Sequence, residues 1–185
     1  MEVSVLNIFG YNRVIIVGNN GSGKSFLAKE LSVITGLPSI HLDAEFWRPN
    51  WEKPTEEEWI KKQTELVSKE KWIIDGNHTG TMELRFKTAD IIVFLDINRF
   101  VCMAGVLKRY GKKRPDMPQY LEERLDREFF RFLKGLWSFS RTRKQIIVDL
   151  HKKYPDKPFL IIKSRRNIGK MIKQWKDEKA RYRDR

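Results

Sequence analysis

Eight residues near the start of the chain, Gly18-Asn19-Asn20-Gly21-Ser22-Gly23-Lys24-Ser25, constrain its fold more than any other stretch. They satisfy the G-x-x-x-x-G-K-[ST] pattern at every fixed position. Before them, Arg13-Val14-Ile15-Ile16-Val17 is apolar and β-branched and predicts a buried strand. After them, Phe26-Leu27-Ala28-Lys29-Glu30-Leu31 predicts a helix. Strand, glycine loop and helix together make the phosphate-binding P-loop unit.

Glycines in such a loop let the backbone turn where a Cβ would clash, so that successive N–H groups point into one concavity. The helix starting near Lys24 adds unpaired N–H groups and the positive end of its dipole. Lys24 is expected to reach the β- and γ-phosphates of a nucleoside triphosphate, and the Ser25 hydroxyl to ligate Mg²⁺. The nucleotide-binding candidates are therefore Gly18, Asn19, Asn20, Gly21, Ser22, Gly23, Lys24, Ser25 and Phe26, with ATP and Mg²⁺ as the expected cofactors.

The chain has 185 residues, a length that suits one α/β domain. No apolar run reaches the roughly 18 residues of a membrane span. The first residues lack the basic start and cleavage site of a signal peptide. Cys102 is the only cysteine, so no internal disulfide is expected and a cytoplasmic location is the default. The net charge of +13 is uneven. Residues 1–107 carry 12 Lys/Arg against 14 Asp/Glu, whereas residues 108–185 carry 25 against 10. A basic half of that size can attract nucleic acid, or can form a basic lid over polyphosphate with a solvated tail.

Along the chain, strands are expected at 13–17, 39–42, 72–75, 91–96 and 159–162. Gly36 and Pro38 close the first helix. Thr55 and Glu58 mark a capping box opening a helix over about 56–69. Further helices are expected near 82–87 and 99–110. A long amphipathic stretch carries Leu121, Leu125, Phe129, Phe132, Leu133, Leu136 and Trp137 on one stripe, breaks near 138–140 and resumes to about 152. A last helix is expected over 168–179, with a frayed tail. This alternation predicts a parallel sheet covered on both faces, with ligands beyond the carboxyl ends of the strands. Gly18, Asp43, Asp75 and Asp96 all fall at such ends.

An ordered set of segments follows the P-loop: Leu42-Asp43 with Trp47 and Trp51, Trp72-Ile73-Ile74-Asp75-Gly76-Asn77, Arg85, Ala89–Asp96 and Leu107-Lys108-Arg109. With it, the chain resembles the adenylate-kinase-like group of P-loop small-molecule kinases, and more narrowly the bacterial DNA topology modulation proteins. The resemblance covers most of residues 13–165. It implies one P-loop NTPase domain over residues 1–185 with a three-layer α/β/α build. Its five-stranded parallel sheet has the order 2-3-1-4-5. An acceptor-side insert is expected over about 43–70 and a helical, basic lid over about 108–140. The implied reaction is phosphoryl transfer to a small acceptor. The chain departs from true adenylate kinases, whose Pro-Arg pair is replaced by Asn77-His78.

Asp75 is expected to organise Mg²⁺ beside Ser25, a turn or helix-cap role being the alternative. Asp96 is expected to cap the next helix. Asp43 can orient an acceptor hydroxyl or take its proton, or be a turn former. His41 reads as a packing residue. Arg85 resembles the arginine that holds the acceptor or its phosphate, and Arg109 and Arg114 resemble lid arginines that meet the spread charge of a transferring phosphoryl group. Arg124 and Arg127 lie nearby and are not ranked. Trp47 and Trp51 either stack on an acceptor ring or close a small aromatic core. Arg165 follows the last strand and can stack on the nucleobase.

Two readings follow: an ATP-dependent kinase acting on an unidentified small acceptor, and a nucleotide-dependent DNA-binding regulator using the basic half. Within the lid of about 108–120, residues 111–118 hold Lys112-Lys113-Arg114 and almost no apolar anchor, so triphosphate should order the lid by supplying opposite charge. Hydrogen exchange across 108–120 should slow on adding a non-hydrolysable ATP analogue. Equal protection with and without it would remove the lid roles of Arg109 and Arg114.

Overall fold

Strand β1 (Arg13–Gly18) occupies the middle of the sheet, and the rest of the chain is wound around it. The computed structural model describes residues 7–111 and 127–183. In chain order, β1 is followed by α1 (Lys24–Thr35), β2 (Ser39–His41), α2 (Leu42–Phe46), α3 (Glu56–Val67) and β3 (Trp72–Asp75). Then come α4 (Met82–Thr88), β4 (Ile91–Leu95), α5 (Arg99–Arg109), α6 (Arg127–Ser138), α7 (Arg143–Lys153), β5 (Phe159–Ile162) and α8 (Arg165–Arg183). All strand pairs are parallel and the order is β2-β3-β1-β4-β5. That is the architecture the sequence implied.

The layers follow from side-chain alternation along β1. Val14 and Ile16 point into one core with Leu27 and Leu31 of α1, Cys102 and Val106 of α5, Leu136 of α6 and Trp175 of α8. Ile15 and Val17 point into the other with Trp59 and Leu66 of α3, Phe86 of α4 and Ile147 of α7. A strand buried on both faces has to be continuously apolar, which is why β1 and β4 carry no polar residue between their ends.

Local signals set most boundaries. Gly36 closes α1 in the left-handed conformation, at φ 78°. Thr55 and Glu58 form both bonds of the capping box of α3. Several expectations change. β2 stops at His41, because Leu42 turns into the five-residue α2 and buries its side chain beneath the sheet end. Asp96 does not cap α5. Asn98 does, accepting from the Phe100 N–H at 2.9 Å, while Asp96 pairs with Lys144 at 2.7 Å. On α6, Leu136 is buried and Phe129 and Leu133 pack on the core, but Phe132 and Trp137 stay largely exposed, so the apolar stripe is narrower than its spacing suggested. α8 begins at Arg165, earlier than expected. Leu121, Leu125, Arg114, Arg124 and the rest of residues 112–126 in the expected lid lie outside the described residues. Among the described residues, no helix is long and apolar enough to cross a membrane.

The start of β1 is pinned by one carboxylate. Asp90 Oδ2 accepts from the Asn12 N–H at 2.9 Å and the Arg13 N–H at 2.8 Å. Asp90→Ala should destabilise the fold by about 1.5–3 kcal/mol, the range for hydrogen bonds to charged groups. Urea unfolding measures this, and an unchanged midpoint would mean that water replaces the carboxylate without cost.

Candidate active site

At the carboxyl end of β1 the backbone leaves the sheet at Gly18. There the Asn77 side chain takes over the pairing: the Gly18 N–H donates to Asn77 Oδ1 at 3.2 Å, and Asn77 Nδ2 donates to the Gly18 carbonyl at 2.8 Å. The loop then runs to Gly23, which caps α1 at φ 103° without a side-chain bond to the first turn. The first N–H groups of α1 therefore keep their capacity for an anion. Lys24 Nζ lies back over the loop and donates to the Asn19 carbonyl at 3.1 Å. The Asn19 side chain donates from Nδ2 to the Leu136 carbonyl in the last turn of α6, at 3.0 Å, and accepts from the Asn20 N–H at 2.8 Å. The phosphate loop is thus tied both to the loop after β3 and to α6.

Charge gathers at the same sheet edge. Burial pushes the Lys24 ammonium below the usual lysine range; the carboxylates of Asp75 and Asp43 oppose that shift and the Arg109 guanidinium adds to it. Asp43, Asp75 and Arg109, all named from the sequence, are therefore within electrostatic reach of Lys24. The Ser25 hydroxyl donates to Asp75 Oδ1 at 3.3 Å. A hydroxyl and a carboxylate side by side are an oxygen donor set that fits Mg²⁺, which binds through one or two protein oxygens and completes its shell with phosphates and water. Among the described residues, no group of three or more His, Cys, Asp or Glu side chains is arranged to hold a metal.

His41, which reads as packing in the sequence, places Nδ1 on Asp75 Oδ2. The signal lay in strand register: in the parallel β2–β3 pair, His41 sits opposite Asp75 at the last rung. Asp43 sits on α2, where Oδ1 meets His78 Nε2 at 3.2 Å.

Arg85 lies beneath this region and is fully buried. It donates to Gln63 Oε1 at 2.6 Å, to Thr81 Oγ1 at 3.1 Å, and to the carbonyls of Asn77 and His78. Burial pushes its guanidinium down, to about 9, which still leaves it charged at neutral pH. The structure therefore shows Arg85 bracing the loop of Asn77 and His78 from below. Phe46, Trp47, Trp51, Trp59 and His78 close on one another at ring-centroid distances of 4.6 to 5.3 Å, mostly edge to face. That arrangement matches the small aromatic core weighed for Trp47 and Trp51.

Arg165 is placed against the phosphate loop. Its Nη2 donates to the Gly21 carbonyl at 2.7 Å and to the Val101 carbonyl at 3.3 Å, and its guanidinium lies where Gly105 has no side chain. It braces the outer edge of the loop against α5. Phe26 is 58% exposed on α1, free of the core. Arg127 opens α6 and is exposed.

No family model matches this chain, and no curated protein does. Solved structures do. A shikimate kinase from Acinetobacter baumannii in complex with shikimate superposes with a TM-score of 0.54 at 16% identity, covering 92% of this chain and 90% of that one. A gluconokinase from Sinorhizobium meliloti 1021 gives 0.52 at 15% identity, covering 92% and 93%. The fold is the one these kinases share. At such identity the likeness extends to the order of strands and layers and leaves the site to be judged on its own residues.

Gly21 sits at φ 77°, and a Cβ there would run into the Cys102 carbonyl oxygen and approach Val106 Cγ2 to 3.0 Å. Both obstacles belong to a packed helix, so the loop must move instead. Gly21→Ala should weaken ATP–Mg²⁺ binding by at least about tenfold, ~1.4 kcal/mol. Gly169→Ala, where a Cβ meets nothing within 4 Å, should leave binding unchanged. Titration calorimetry on both variants compares them, and equal affinities would mean that the loop tolerates a side chain at Gly21.

Proposed function

We propose that this protein is a Mg²⁺-dependent kinase that moves the γ-phosphoryl group of ATP to a hydroxyl of a small acceptor of nucleoside or nucleotide type. The observation that supports it best is the convergence of Lys24, Ser25, Asp75, Asp43 and Arg109 at the carboxyl end of β1, on a loop that fulfils the whole P-loop pattern. In this reading the N–H groups of residues 19–25 and the Lys24 ammonium hold the β- and γ-phosphates. Ser25 and Asp75 hold Mg²⁺, whose part is to neutralise phosphate charge. Asp43 orients the acceptor hydroxyl and takes its proton as the new P–O bond forms and the bond to the bridging oxygen breaks, with the electron pair leaving on ADP. Arg109 faces the charge spread over the transferring group, a role that the sequence reading also gives to Arg114. Arg85 acts on the acceptor side by fixing Asn77 and His78.

The kinase names of the structural relatives agree with this reading and do not favour the alternative, a nucleotide-dependent DNA-binding regulator, whose support is the charge of the second half of the chain. The narrower likeness to DNA topology modulation proteins adds no acceptor.

Titration of ATP–Mg²⁺ should show binding by the wild type and a loss of about tenfold or more in Lys24→Ala, since removing a charge-assisted bond to phosphate costs about 1.5–3 kcal/mol. Equal affinity in the two proteins would overturn the site.

A further inference from the structure

Residue 78 is one of three residues other than glycine that have positive φ among the described residues; the other two are Asn50 and Trp51. Its φ of 34° and ψ of 70° put a Cβ-bearing residue in the left-handed region, which persists only where the surroundings over-determine it. They do so here. The His78 carbonyl accepts from the Thr81 N–H at 3.1 Å, from Thr81 Oγ1 at 3.2 Å and from Arg85 Nη2 at 3.4 Å. The preceding residue, Asn77, is locked to Gly18 by two hydrogen bonds. The ring is gripped by Phe46 and Trp59, at centroid distances of 4.6 and 4.9 Å. Backbone and ring are both fixed, and what they fix is Nε2, 3.2 Å from Asp43 Oδ1.

We infer that His78 is a positioning residue for Asp43. Its Nε2–H donates to Oδ1 and holds in one rotation the carboxylate that takes the proton of the acceptor hydroxyl. The inference rests on the kinase reading for the role of Asp43. Distance information then passes along one covalent and hydrogen-bonded route, from Gly18 in the phosphate loop through Asn77 to His78 and on to Asp43. The base is set relative to the phosphate it serves, although it stands on a separate helix. A packing role alone explains the ring contacts. It gives no reason for an imidazole at a left-handed position with its donor on a half-exposed carboxylate. During transfer the hydroxyl proton moves to the Asp43 carboxylate, the acceptor oxygen bonds to phosphorus, ADP departs with the electron pair, and His78 keeps its own proton throughout.

Two arms test this on the full chain. In the first, protein carrying ¹⁵N-histidine is examined by long-range proton–nitrogen spectroscopy at pH 8.5, without any acceptor. His78 should be the Nε2–H tautomer, and Asp43→Asn should move its Nε2 resonance. An Nδ1–H tautomer, or a resonance indifferent to Asp43→Asn, overturns the inference whatever the protein phosphorylates. In the second, adenosine, thymidine, shikimate and D-gluconate are offered with γ-labelled ATP. On any that turns over, His78→Phe keeps the ring and removes the donor, and should lower kcat on the order of 10²-fold, the scale of an ångström-sized misplacement, with KM for ATP unchanged. His78→Gln restores an N–H at similar reach and should recover most of the loss. Equal losses in the two variants, or a loss confined to KM for ATP, would overturn the positioning role. If the wild type phosphorylates none of the four, the kinase reading loses support and the spectroscopic arm alone decides the pair.

Discussion

A single buried side-chain amide holds the site together. Asn77 offers one acceptor and one donor to Gly18 on the side of β1 where β3 has already ended, and so satisfies both backbone groups of a residue that would otherwise leave them orphaned. The backbone of Gly76 has already closed onto the Ile16 carbonyl at 3.2 Å, so the amide extends the β1–β3 ladder by one rung made of side chain. Everything that must be placed relative to the phosphate loop hangs from this rung. Arg85 grips the Asn77 carbonyl from below, His78 follows in the chain, and Asp75 precedes it by two residues.

The cost of this rigidity is concentrated in Arg85. A guanidinium fully out of water, with neutral oxygens as its recorded partners, gives up several kcal/mol of hydration. Carbonyl dipoles from Asn77 and His78 return part of it, and they do so only while the loop keeps its shape. Charge burial and loop geometry therefore enforce each other, and the left-handed backbone at His78 is one product of that mutual constraint.

The fold was legible in the sequence because its signals are local. Apolar runs marked β1, β3, β4 and β5, glycine at 36 marked the end of α1, and Thr55 with Glu58 marked the start of α3. The phosphate loop was legible because its chemistry resides in consecutive residues. What the sequence concealed depends on pairs far apart in it. His41 meets Asp75 through strand register, Asn77 meets Gly18 across the sheet, Arg165 reaches Gly21 from the far end of the chain, and Asn19 reaches the end of α6. In each case one partner is a backbone carbonyl or a residue with an unremarkable alternative role, so no composition or spacing marks the pair. Arg85 was visible as a charged residue in a family-like position, but its complete burial is a property of the packed loop above it.

The central place of β1 also shapes how the chain is made. Strand β1 has both edges bare until residues 72–75 and 91–95 have been synthesised, because its two neighbours are β3 and β4. Parallel pairing of this kind closes long loops before any ladder forms, and unpaired apolar strands are prone to associate with one another. Until then, this apolar strand must be kept apart from other nascent chains by the ribosome tunnel, by α1 folding over one face, or by a holding chaperone.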